Sequence, residues 1–165
     1  MVKAIYPGTF DPVHNGHLDI ATRASGLFDQ LLVAVYEHAT KDMLFTANER
    51  VALFRESVGN LPNVEVALFS GLVPALAKNV GAKFIVRGLR AGLDFETESE
   101  MTLMWRSLDP EIDVVWLMSD LNYQFVYSSR IKEVAKLGGN VKGLVSQTVA
   151  KELGEKFKSV SGFRD

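Results

Sequence analysis

"YPGTFDPVHNGH", Tyr6 to His17, follows the apolar stretch Val2 to Tyr6 and leads into a run, Gly16 to Phe28, whose apolar residues lie three and four apart. The segment reads as strand, bent loop and helix, the opening unit of a parallel α/β sheet. The same alternation continues along the chain. Further strands are predicted at LLVAVY (31–36), VEVALF (64–69), KFIVR (83–87) and DVVWLM (113–118), with crossover helices over Thr46–Val58, Leu72–Val80 and Asp94–Leu108. Two more helices are expected from Ser129 to Leu137 and from Ser146 to Phe157, and the tail from about 158 to 165 reads as loosely held. Thr46 and Glu49 form a capping box at the start of the second crossover helix. The expected fold is a doubly wound, five-stranded parallel sheet of Rossmann-like type. Such sheets bind ligands beyond the carboxyl ends of their strands, where the strand order reverses.

A length of 165 residues predicts one domain, with a core large enough to need no covalent staple. Eighteen basic residues stand against 20 acidic ones, a formal charge of −2, which argues against a broad nucleic-acid face and confines any anion site to a local pocket. There is no cysteine, so disulfides, thiolate metal sites and a cysteine nucleophile are excluded. VKAIY shows no basic-then-apolar leader, and no apolar run approaches the ~20 residues of a membrane span. A cytoplasmic protein with no membrane partner is expected.

The loop after the first strand is built for an anion. Free N–H groups at a helix start and the positive end of its dipole favour phosphate. Gly8 and Gly16, lacking a Cβ, are expected to let backbone approach a ligand closely. His14 and His17 share one face if the helix begins near His14, and both then point at the same oxygens. A dedicated zinc site is not expected, because no third ligand of the right type stands nearby. IVRGLRAGLDFETE (85–98) brings Arg87 and Arg90 to the end of another strand, and arginine's planar fork suits phosphate. YQFVYSSRIKEVA (123–135) sets Ser128 and Ser129 before a helical pattern, where they cap the helix or hold a phosphate. Lys41 lies in the loop after the second strand.

GTFDPVHNGH resembles the [HT]xGH signature of the nucleotidyltransferases, which transfer a nucleoside monophosphate from a nucleoside triphosphate and release pyrophosphate. Together the four stretches resemble the bacterial phosphopantetheine adenylyltransferase family from Ala4 to about Leu153, and the resemblance implies a nucleotidyltransferase fold. It also implies transfer of AMP from ATP to 4′-phosphopantetheine, giving dephospho-coenzyme A, with Mg²⁺ accompanying ATP, in a homohexamer. By the same resemblance His14 and His17 lie along the triphosphate, and His17 stabilises charge accumulating on the α-phosphate. The implied catalytic set is His17, Lys41 and Arg90. Thr9, Lys41, Arg87, the backbone of Val73 and Glu133 would serve phosphopantetheine. Thr9, Phe10, His17, Gly88, Leu89, Arg90 and Glu98 would serve ATP, with the segment Tyr123, Gln124, Phe125, Val126, Tyr127, Ser128 and Ser129.

The chain departs from the family pattern at three places, one of them Tyr123, which stands where the family often carries tryptophan and keeps an aromatic side chain there. At the other two, Trp105 stands where the family usually carries an asparagine, and Tyr127 where it carries a serine-like residue. A mononucleotide adenylyltransferase acting on nicotinate or nicotinamide mononucleotide would share the first loop; Lys41 and VRGLRA favour the pantetheine enzyme. A non-catalytic nucleotide sensor is disfavoured by the joint presence of His17, Lys41, Arg87 and Arg90. A dehydrogenase-like binder is disfavoured because no GxGxxG follows the first strand.

Overall fold

The computed structural model describes residues 1–38, 42–59, 61–90 and 92–158. Lys41 and the tail from 159 to 165 lie outside the described residues. Five parallel strands, β1 (Lys3–Gly8), β2 (Gln30–Tyr36), β3 (Val64–Phe69), β4 (Phe84–Leu89) and β5 (Asp113–Met118), form a sheet of order β3-β2-β1-β4-β5. The helices are α1 (Asn15–Ser25), α2 (Ala47–Val58), α3 (Val73–Asn79), α4 (Gly92–Leu108), α5 (Ser128–Lys136) and α6 (Gln147–Lys158), with one 3₁₀ turn at Leu121–Tyr123. All five expected strands form. The strand order reverses between β1 and β4, so the ligand-binding edge of the sheet falls beside the loop after β1.

Alternation along the strands divides the core into two layers. Ala4, Tyr6, Leu31, Val33 and Val35 belong to one cluster, with residues of α1, α2, α5 and α6, while Ile5, Leu32, Ala34 and Ile85 belong to the other, with α3, α4 and Ile112. Helix starts follow the expected chemistry. Thr46 caps α2, accepting from Glu49 N while the Glu49 carboxylate accepts from Thr46 N at 2.7 Å. The first helix is shorter than its apolar spacing suggests: it ends at Ser25, capped by Gly26, and Phe28 lies beyond it as a core residue.

Phe54, fully buried on α2, packs edge-on against Phe10 of the first loop with ring centroids 4.7 Å apart. Phe54→Ala is expected to lower the unfolding free energy by about 3–5 kcal/mol, as read by urea denaturation. A loss below about 1 kcal/mol would show that this layer repacks around the cavity.

Candidate active site

β1 and β4 pair only at Ala4↔Phe84 and Ile5↔Ile85, although β1 continues to Gly8 and β4 to Leu89. On its other side β1 stays paired with β2 as far as Gly8↔Val35. The carboxyl halves of β1 and β4 therefore separate, at a position where Pro7 has no N–H to offer a ladder. Arg87 spans the gap, donating from Nη1 to the Pro7 carbonyl at 3.0 Å. Its Nε and Nη2 donate to the two oxygens of Glu98, Nε at 2.7 Å, so Arg87 and Glu98 form a bidentate pair at the crevice wall. Trp105, 8% exposed, lies below, with the Arg87 Cζ 5.8 Å from its ring.

The loop after β1 is held by buried charge. Phe10 has φ of 52°, a left-handed conformation that costs a non-glycine residue roughly 1–3 kcal/mol, and its surroundings must maintain it. Its ring is enclosed by Tyr6, Phe54 and His17 at centroid distances of 5.3, 4.7 and 4.9 Å. Arg50, 1% exposed, donates to the carbonyls of Thr9 at 2.7 Å, Phe45 at 3.3 Å and Glu37 at 3.5 Å. Asp11, also buried, accepts from the backbone of Leu44 at 3.0 Å and Phe45 at 2.9 Å, and from Lys132 Nζ at 2.6 Å. These two side chains tie the loop after β1, the segment after β2 and α5 into one body. Their charges are paired or hydrogen-bonded, as buried charges must be.

The glycines also have a packing role within the chain. A Cβ on Gly8 would fall 2.6 Å from the Phe10 ring, and one on Gly16 would fall 3.1 Å from the His14 ring. The space a side chain would fill is taken by the chain's own rings. Gly88 likewise lets α1 close on β4, since its Cβ would meet Ile20 at 3.1 Å.

His14 is the N-cap of α1 and His17 occupies the third helical position. Each ring accepts at Nδ1 from the other residue's backbone N–H, both at 3.3 Å, a capping box made of two imidazoles. The rings stack at 3.5 Å, so the two share a face as the spacing predicts. With Nδ1 accepting, the proton of each neutral ring sits on Nε2, which is left as a donor. Burial, then Arg90, pulls the His14 pKa down to about 3. Burial, then His14, Arg90 and Arg87, pulls that of His17 well below its ordinary value. Both rings are uncharged near neutral pH.

Arg90, at the far end of β4, pairs with Asp94 on α4, Nε to Oδ2 at 2.9 Å, and its guanidinium lies over the Tyr127 ring, Cζ 3.9 Å from the centroid. Tyr127 is the N-cap residue of α5 and its side chain makes no cap bond. Ser128 Oγ donates to the Pro12 carbonyl at 2.9 Å, joining the start of α5 to the first loop. Tyr123 packs beside the start of α1, its Cβ close to Gly16.

The structure thus gathers Thr9, Phe10, His14, His17, Arg87, Gly88, Arg90, Glu98, Tyr123, Tyr127 and Ser128 around the parted strands. Leu89 and Val126 have buried side chains and present backbone only, whereas Phe125 and Ser129 are exposed. Gln124 reaches back to the Ser119 carbonyl at 3.4 Å. Val73, 2% exposed, opens α3 within the second core cluster. Glu133 faces outward, paired with Arg130 at 2.8 Å, and borders a shallow hollow with Met43 and Leu44. Sequence reasoning missed Asp11, Arg50 and Lys132. One signal was available: Arg50 lies on the buried stripe of α2 with Leu53 and Phe54, where a charge demands partners.

The neutral cap has a consequence for stability. His14 binds a proton in the unfolded chain below about pH 6.5 but in the fold only near pH 3, so its contribution is fully present above pH 6.5 and is lost as pH falls. His14→Asn keeps a cap acceptor that does not titrate. The decline in unfolding free energy from pH 7 to pH 5 is expected to be smaller in the variant by about 2 kcal/mol. Identical declines would show that His14 is not held neutral.

Residues 5–134 match the cytidylyltransferase-like family. The chain is 48% identical over 158 residues to the phosphopantetheine adenylyltransferase of Dictyoglomus turgidum, covering 96% of this chain and 99% of that one. It is 52% identical over 156 residues to that of Dehalococcoides mccartyi, covering 94% and 98%. A solved structure from Vibrio parahaemolyticus, provisionally assigned as a nicotinate-nucleotide adenylyltransferase, superposes with a TM-score of 0.71 over 95% of each chain at 20% identity, a likeness of fold. With half its residues shared over nearly the full length of such relatives, and with the paired histidines and arginines set at the reversal of its sheet, the chain belongs to the phosphopantetheine adenylyltransferases of the cytidylyltransferase-like family.

Proposed function

We propose that the protein transfers the adenylyl group of ATP to 4′-phosphopantetheine, giving dephospho-coenzyme A and pyrophosphate, in the cytoplasm and as a single catalytic domain. The observation that carries this reading is the pair of neutral imidazoles beside Arg87 and Arg90 at the opening between β1 and β4, in a chain whose relatives bear that enzyme's name. An oxygen of the acceptor's phosphate attacks the α-phosphorus, forming one P–O bond as the bond to the pyrophosphate oxygen breaks. That oxygen is already ionised near neutral pH, so no strong base is needed. Catalysis is then positioning and charge stabilisation.

His17 acts as an uncharged Nε2–H donor to the α-phosphate oxygens. An imidazole that stays neutral donates without having to lose a charge as pH rises. Arg90 and Lys41 offset the charge of the polyphosphate, and Thr9, whose carbonyl Arg50 secures, faces the reacting end of the acceptor. Asp11, Asp94 and Glu98 are each paired with a cation of the chain, and no group of three or more potential metal ligands gathers among the described residues, so Mg²⁺ would be held by the nucleotide more than by carboxylates of the protein. Bound there, Mg²⁺ would supply further charge neutralisation. No helix among the described residues is long and apolar enough to cross a membrane. For the hexamer that the family resemblance implies, α4 supplies apolar surface, since Leu103, Met104 and Leu108 are more than half exposed.

Pyrophosphate release with ATP and Mg²⁺ is expected with 4′-phosphopantetheine and absent with nicotinate or nicotinamide mononucleotide. Release only with a mononucleotide would keep the chemistry and replace the acceptor; silence with all three would leave a nucleotide sensor. His17→Ala is expected to lower kcat by about 10²–10³-fold while changing the KM for ATP much less. Lys41→Ala is expected to impair turnover of phosphopantetheine, and unchanged kinetics would remove Lys41 from the site.

A further inference from the structure

Arg90 is held from two directions by this chain. Asp94 grips one edge of the guanidinium, Oδ2 accepting from Nε at 2.9 Å and Oδ1 from Nη2 at 3.3 Å, and Oδ2 also accepts from the Arg90 backbone N–H at 3.1 Å. The Tyr127 ring covers its flat face, with Cζ 3.9 Å from the centroid. A stacked ring uses the π face of the cation and consumes no N–H. Nη1 makes no hydrogen bond among the described residues, so its in-plane edge remains for a ligand.

Tyr127 occupies a position where serine, threonine, asparagine or aspartate would usually cap the helix, and its side chain makes no cap bond. It is 36% exposed, so burial accounts for only part of its placement. What its ring does do is lie on Arg90. The same device recurs more loosely next door, where the Arg87 Cζ lies 5.8 Å from the Trp105 ring.

We propose that Tyr127 is a positioning residue for Arg90: its ring fixes the plane of the guanidinium so that the free Nη1 edge meets the triphosphate of the nucleotide. An arginine free in solvent samples many rotamers and must be ordered on binding, whereas one held by a carboxylate and a ring is already ordered. The planar fork then meets phosphate oxygens in the geometry that favours two parallel hydrogen bonds. This inference rests on the adenylyl-transfer reading above.

The test is calorimetric titration of the full chain and its variants with ATP and Mg²⁺, without acceptor, so that no turnover occurs. Tyr127→Leu keeps bulk but lacks the π face, and is expected to weaken ATP binding about five-fold, while Tyr127→Phe restores it. In an Arg90→Met background, Tyr127→Leu is expected to weaken binding no further. The KM for phosphopantetheine is expected to stay with the wild type, a split that a general loosening of α5 would not give. Equal affinities of the Leu and Phe variants, or a Leu effect that persists without Arg90, would overturn the proposal. Pyrophosphate release by the wild type with phosphopantetheine is measured on the same preparation. Release together with equal Leu and Phe affinities removes Tyr127 alone, and the absence of both release and ATP binding removes the function and this inference together.

Discussion

The site depends on the point where β1 and β4 stop pairing. After Ile5 and Ile85 the ladder ends, and the two strands diverge at the place where the sheet reverses its winding. Backbone groups released from a ladder need other partners, and the Pro7 carbonyl finds one in Arg87. The crevice wall is thus a side chain that closes a hydrogen-bond deficit. The same arginine is placed by Glu98, so a requirement of folding also sets a cation at the mouth of the site.

Around that opening, the carboxylates serve the cations. Asp11 takes Lys132 and two backbone amides, Glu98 takes Arg87, and Asp94 takes Arg90. Such pairing orients long basic side chains in a partly dry environment, where a free charge would be costly. Trp105 and Tyr127 bring aromatic rings to two of these arginines, Arg87 and Arg90. Each ring offers a flat apolar face to a guanidinium and takes none of its N–H donors.

The histidines follow a related logic with the opposite sign. Placed beside Arg87 and Arg90 and capping α1 with Nδ1, they stay uncharged, which leaves Nε2–H donors whose state does not change across neutral pH. A charged imidazole here would be repelled by both arginines and would also give up its role as cap acceptor. Arg50 then secures the loop from beneath, holding the Thr9 carbonyl while Phe10 sits in a left-handed conformation.

The sequence by itself determined the order and type of the elements, because the periods of two and 3.6 are properties of local runs such as LLVAVY and TANERVALF, and the capping box at Thr46 and Glu49 is complete within four residues. It also identified His14, His17, Arg87 and Arg90, whose chemistry is plain at a strand end. Tertiary structure decided what those residues touch. Asp11 meets Leu44, Phe45 and Lys132, and Arg50 meets Thr9, across separations of 33 to 121 residues that no local pattern encodes. It decided too that Gly8 and Gly16 make room for Phe10 and His14, and that Tyr127 lies on Arg90, because ring positions follow from how α1, α4 and α5 close over the parted strands.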